Sequence, residues 1–278
     1  MTEPVVRQYG LWDSPIKPIS MARGMSFSGL MCDQKGVLAW LEGRSDRGVL
    51  VVQADRKQAS RDLNSELPVH AKVGYGGGDF SIQDGMVYFV EAETGRIYRQ
   101  PAAGGAAQPI TPAFGQSAAP KASPDGKWLA YINTYEGKDS LALVDTTGAL
   151  WPQRLVDGDD FYMQPAWSPD GKRLAWIAWN HPNMPWDGTI LRMGELQEHD
   201  GNLPALQRIM TVAGGEQVSI FQPEFSPDGR FLAYVSDESG WWQLYLYEIA
   251  SGEHSQITHV QAENVLPAWD QGMRTYAF

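Results

Sequence analysis

Five histidines, one cysteine and a scatter of aspartates are the residues of this 278-residue chain with the most chemical potential, and their spacing excludes most of it. His70, His181, His199, His254 and His259 fall in separate segments, without the His-Glu-x-x-His pairing that sets two imidazoles on one helix face around zinc. Gly-x-Ser-x-Gly, the strained turn that exposes a serine nucleophile, does not occur. Cys32 is alone, which rules out an intrachain disulfide and a cysteine-built metal site. Asp157, Asp159 and Asp160 resemble a calcium loop in composition only; the EF-hand spacing is missing and they read as a solvated turn. Gly76, Gly77 and Gly78 could cradle an anion, but no P-loop lysine follows, and the run reads as a tight backbone passage. No catalytic set, metal or cofactor is therefore expected of this chain.

The elements that must hold these residues come from a repeat. Pro120-KASPDGKWLAYI, Pro165-AWSPDGKRLAWI and Pro223-EFSPDGRFLAYV align without gaps. Weaker copies place a glycine at the matching position: Gly36 in DQKGVLAWL, Gly85 in IQDGMVYFV and Gly272 in PAWDQGMRTYAF. In Ser-Pro-Asp-Gly, proline presets φ for the first central position of a type I turn, aspartate suits the second, and glycine takes the left-handed position after it. Asp125, Asp170 and Asp228 are thereby explained as turn residues rather than active-site carboxylates. An alternating apolar strand follows each turn, then a third (SLALVD, WQLYLYEI) and a short fourth (QRLV, SQIT). Four short antiparallel strands per repeat of about 40–50 residues predict an all-β chain, a β-propeller of TolB-like blades. One domain over residues 1–278 is expected, with about six of seven blades and an incomplete last one.

In such a blade the first and third turns share one face, and the second loops and the blade-to-blade links share the other. The first face receives small polar turns. The second receives Asn180–Gly188, Ser236–Trp242, the link Asp157–Pro165 and the glycine run, a concentration of aromatic loops on a rigid scaffold. Gly76, Gly77, Gly78, His181, Asn183, Met184, Trp186, Asp187, Trp241 and Trp242 are the candidate contact residues. Trp241 and Trp242 point to opposite sides of a strand, so one of them belongs to the core. His181 reads as a loop-packing histidine, because no carboxylate or nucleophile accompanies it at a telling spacing.

Composition narrows the partners. A formal net charge of -11 argues against nucleic acid, which calls for a basic surface. Apolar runs such as LAWIAW are far too short to cross a bilayer. The stretch MTEPVVRQYG has neither a basic nor an apolar leader region, so a cytoplasmic location is expected.

Beyond the repeat, YGLWDSPI, VGYGGGDFSIQDGMVYFVEAETGRIYRQ, WNHPNMPWDGT, SPDGRFLAYVSDESGWWQLYLYE and AWDQGMRTYAF resemble the N-terminal propeller of the prolyl oligopeptidase family of serine peptidases, acylaminoacyl-peptidase-like members above all. The resemblance implies a C-terminal α/β-hydrolase domain as partner, carrying a Ser-Asp-His triad that lies outside this chain. It also implies that the propeller gates access of short peptides, with the loop residues named above at the domain interface or cavity mouth. No triad residue can be carried over. A ring lacking its closing strands would expose sheet edges and invite self-association. The alternative is a stand-alone TolB-like propeller that scaffolds protein–protein contacts.

Overall fold

The computed structural model describes residues 24–278 except 46, 56, 65 and 200, together with residues 6–11, 14, 16, 17 and 19. Residues 12, 13 and 15 of the YGLWDSPI stretch lie outside the described residues. Among the described residues, twenty strands form five sheets of four. The first comprises β1 (Met25–Cys32), β2 (Leu38–Arg44), β3 (Arg47–Gln53) and β4 (Arg61–Asp62). The second holds β5 (Phe80–Gln83), β6 (Met86–Val90), β7 (Ile97–Pro101) and β8 (Gln108–Pro109). In the third are β9 (Gln116–Ala122), β10 (Trp128–Tyr135), β11 (Lys138–Asp145) and β12 (Gln153–Val156). β13 (Phe161–Trp167), β14 (Arg173–Trp179), β15 (Ile190–His199) and β16 (Asn202–Gly214) make the fourth, and β17 (Ile220–Phe225), β18 (Phe231–Ser236), β19 (Gln243–Glu248) and β20 (His254–Gln256) the fifth. Each sheet runs antiparallel in simple sequence order, as expected of propeller blades.

The first strands β5, β9, β13 and β17 pack against one another in order and form the inner wall. Sheets stacked on both sides bury both faces of a strand, so alternation gives way to a continuous apolar run. In Leu174-Ala-Trp-Ile-Ala-Trp179 of β14 every residue is buried, and Trp176 is fully enclosed. β1 behaves oppositely: Met25, Phe27 and Leu30 are exposed along it.

The turn chemistry is the same in three blades. Ser123 Oγ donates to Asp125 Oδ1 at 2.6 Å, Asp125 Oδ1 accepts from Lys127 N at 3.1 Å, and Gly126 takes φ +71°. Ser168, Asp170 and Gly171 repeat the pattern, as do Ser226, Asp228 and Gly229. Burial raises the Asp125 and Asp170 carboxyls, but the serine hydroxyl and backbone N–H outweigh it and hold both below the usual carboxylate range.

Three of the four inner strands, β9, β13 and β17, also carry a bulge. Ala119, Gln164 and Gln222 sit at φ +49°, +52° and +51°, each directly before a proline and each at a break in register with the second strand. Positive φ is uncommon for a residue with a side chain, and three successive blades adopt it at one equivalent place.

The sixth repeat departs from the expected blade. Residues 257–278 form no strand, and one parallel bridge, Gly77 with Gln271, is their sheet-like contact. The turn of this repeat, Asp-Gln-Gly, lacks the serine and proline found in the Ser123, Ser168 and Ser226 turns. Residues 270–276 instead run across the inner wall.

Candidate functional site

The loop Asn180–Thr189 is held on two sides by polar contacts from neighbouring links. Asn180 Oδ1 accepts from Asp160 N at 2.7 Å, and Asn183 Nδ2 donates to Glu216 O at 2.8 Å. Ser219 Oγ donates to Pro185 O at 2.5 Å, and Asp187 Oδ2 accepts from Met184 N at 2.9 Å within the loop. Such anchoring fixes a loop that would otherwise sample many conformations, so its aromatic groups are presented in one arrangement.

The apolar side chains converge on the axis. Trp186 lies 4.3 Å from Trp269 and 6.2 Å from Tyr75 between ring centroids. The Tyr75 hydroxyl approaches Met184 Sδ at 3.7 Å. On the opposite wall Phe161 stacks on Trp179 at 5.1 Å and meets the His181 ring at 4.8 Å. Together these walls enclose a cavity of about 250 Å³, with Tyr162 and Gln271 at its floor. Aromatic and sulfur-bearing walls of this kind receive an apolar or aromatic group, and a few polar atoms orient it.

Two acidic groups set the electrostatics. Asp139 faces the cavity, accepts from Thr134 Oγ1 at 2.6 Å, and has its carboxyl raised above the ordinary value by desolvation. Asp160 accepts from the main-chain N of His181 at 2.9 Å and lies 3.0 Å from its Nδ1; these bonds hold the carboxyl below the usual range. His181 therefore does have a carboxylate companion, contrary to the reading from spacing, since the two stand twenty-one residues apart. The ring remains exposed, and the pair orients it against Phe161.

Asp159 also departs from expectation. Its carboxylate is buried, not solvated, and takes both terminal nitrogens of Arg192. Burial pushes the neighbouring Tyr162 hydroxyl up to about 12. Asp157 stays exposed, paired with Arg154 at 2.9 Å. Among the described residues no three His, Cys, Asp or Glu side chains gather into a metal site.

The candidate residues separate into three places. His181, Asn183, Met184, Trp186 and Asp187 belong to the aromatic loop, with His181, Asn183 and Met184 on the cavity wall. Gly76, Gly77 and Gly78 lie behind it at the axis, where Gly76 O accepts from Gln271 N at 2.9 Å. Trp241 is 40% exposed, whereas Trp242 is 8% exposed and packs edge-on to Phe221 at 5.5 Å. Trp242 is thus a core residue and is withdrawn from the contact set. Tyr75, Phe161, Trp179 and Trp269 complete the cavity and were not singled out by sequence. Tyr75 is embedded in the glycine run, and the other three read as ordinary strand or turn residues.

Blades of four antiparallel strands, joined to a loop-face cavity, define the class: a β-propeller of the kind that peptidases carry. Over 99% of its length the chain matches the structure of a puromycin-hydrolyzing peptidase of Mycobacterium tuberculosis, with a TM-score of 0.80 and 27% identity, covering 45% of that protein. A puromycin hydrolase gives a TM-score of 0.80 and 28% identity over 96% of this chain and 44% of its own. The uncharacterized peptidase YuxL of Bacillus subtilis (strain 168) is 26% identical over 165 residues, 59% of this chain and 22% of its own length. No family model matches the chain. The chain is similar to the propeller portion of these peptidases, and it spans less than half the length of the peptidases it matches.

Proposed function

We propose that this chain is the substrate-gating propeller of a serine peptidase that cleaves short peptides, of aminopeptidase or acylaminoacyl-peptidase type, in the cytoplasm. A C-terminal α/β-hydrolase domain would supply the Ser-Asp-His triad, and this chain would supply selection without chemistry. One observation carries the reading: the aromatic cavity opens on the loop face of a chain that follows peptidase propellers along nearly its whole length. Tyr75, Met184, Trp186 and Trp269 would then filter what reaches the catalytic domain. Two of the similar structures are named for hydrolysis of puromycin, which agrees with a peptidase that takes small substrates. The exposed apolar strand β1 is where a missing sheet neighbour, or a second copy, would pair.

The test uses the full-length polypeptide. Tyr75→Ala and Met184→Ala open the cavity wall, and kcat/KM is compared for dipeptide-type chromogenic substrates and for peptides of eight or more residues. Gating predicts that the ratio of long to short substrate rises in both variants. A ratio unchanged from the parent removes the gating role, and hydrolysis by residues 1–278 alone removes the claim that this chain carries no chemistry.

A further inference from the structure

We propose that the propeller axis contains a clamp for extended peptide main chain, built from Gly76, Gln164 and Gln222, and that residues 271–276 occupy it as an internal ligand. Four hydrogen bonds define it, and each ends on a main-chain atom of that segment. Gln271 N donates to Gly76 O at 2.9 Å, and Gln164 Nε2 donates to Met273 O at 2.9 Å. Thr275 N donates to Gln222 Oε1 at 2.6 Å, and Gln222 Nε2 donates to Tyr276 O at 2.7 Å. Donors and acceptors thus alternate along the segment as they would along a partner strand.

The clamp is built into the blades rather than improvised by the segment. Gln164 and Gln222 are buried, occupy the same bulge position in consecutive blades, and adopt a left-handed backbone before proline. Backbone strain of this kind persists where the surroundings impose it, and it concentrates at sites that bind. The two are also tied together, since Gln222 N donates to Gln164 Oε1 at 2.6 Å. The bulge turns each amide out of the ladder and toward the axis.

Recognition through main-chain atoms tolerates sequence. The ligand class is therefore an extended peptide, and side chains of the segment add contacts of their own: Gln271 Nε2 donates to Tyr162 O at 2.8 Å, Thr275 Oγ1 donates to Gln222 Oε1 at 3.1 Å, and the Tyr276 hydroxyl donates to Gln222 O. A space of about 250 Å³ beside the segment, lined by Phe80, Pro120, Lys121, Trp167, Glu224 and Arg274, leaves room for those side chains. Arg274 of the segment pairs with Glu224 at 2.5 Å, so a basic residue at that place adds one selective contact. The clamp needs no catalytic partner, so binding to it is measured on the full-length polypeptide by a readout separate from the gating role.

The probe is a fluorescein-labelled synthetic peptide with the sequence of Asp270–Tyr276, followed by fluorescence anisotropy. Thr275→Pro removes the N–H that Gln222 accepts and frees the clamp without altering it. This variant is expected to bind the probe about 10-fold more tightly than the parent chain, the worth of roughly one lost internal bond. Adding Gln222→Leu to it should weaken binding by about 10-fold or more, with far-UV circular dichroism verifying the fold. Should the double variant fail to fold, hydrogen exchange on the parent chain decides instead. Saturating probe must then accelerate exchange at the Gln271 and Thr275 amides. Failure of the probe to bind Thr275→Pro at millimolar concentration, or unchanged exchange in its presence, overturns the clamp.

Discussion

Replacing Gly77 by alanine places a methyl group 2.4 Å from Gln271 O, 2.9 Å from Asp270 Cβ and 3.2 Å from Gln271 N. Two of these are backbone atoms, so no side-chain rotation relieves the overlap. Gly77 also sits at φ +76°, where any other L-residue costs about 1–2 kcal/mol. Gly126 makes the control: its φ is +71° and nothing lies within 4 Å of an added Cβ. Gly126→Ala should therefore lose only the backbone term, about 1–2 kcal/mol. Gly77→Ala should lose that term and also drive residues 270–276 from the wall. The four main-chain hydrogen bonds of that segment to Gly76, Gln164 and Gln222 go with them, at about 0.5–1.5 kcal/mol each, for about 2–6 kcal/mol more. Urea unfolding followed by tryptophan fluorescence gives both values, and an unchanged m-value confirms that the same surface is being compared. Brief trypsin digestion supplies a local readout, since an undocked segment exposes Arg274 to cleavage while the sheets stay intact. If Gly77→Ala is no less stable than Gly126→Ala and Arg274 stays protected, the packing of the axis described above is wrong.

Two further outcomes follow from burial and charge. Trp242→Ala should cost about 3–5 kcal/mol of unfolding free energy, and Trp241→Ala should fall within about 0.5 kcal/mol of the parent; equal losses in urea unfolding would contradict the inward and outward assignment. Asp139 titrates higher in the folded chain than in the unfolded one, so between those two values the folded state binds more protons and stability falls as pH rises. Asp139→Asn keeps the acceptor for Thr134 and removes the charge. It should raise the urea midpoint at pH 7 and flatten its dependence on pH above the ordinary aspartate value; an unchanged slope refutes the assignment.

The blades were legible in the sequence because their signals are local. A serine, a proline, an aspartate and a glycine in a row dictate one turn, and the apolar residues after it mark a strand, whose burial on both faces the structure adds. The division of loops between two faces followed from strand order, which the pairings of all five sheets bear out. Alternation likewise foretold that one of the adjacent tryptophans would be inside. What stayed hidden depends on contacts between distant segments. Asp160 reaches His181 across a hairpin, Asp159 finds Arg192 on the third strand, and Trp269 meets Trp186 from the far end of the chain. No spacing rule links such pairs. The bulges fall between these cases: Gln-Pro recurs in QPAW and QPEF at one place in the repeat, but proline masks the left-handed residue before it, since that position ordinarily favours extended backbone.

The three bulges have a consequence for how this molecule could be diversified. Each blade devotes a single residue, Ala119, Gln164 or Gln222, to the inner rim, and the register break isolates that residue from the ladder around it. Exchange at Ala119 alters the lining of the ring by one side chain, whereas exchange at Gln164 also removes the acceptor for Gln222 N in the next blade. Glutamine in two blades and alanine in a third already amount to two settings of the same dial. The Ala119 position is thus the exchangeable socket of the row, and a substitution as small as Ala119→Gln would set a third amide beside the other two.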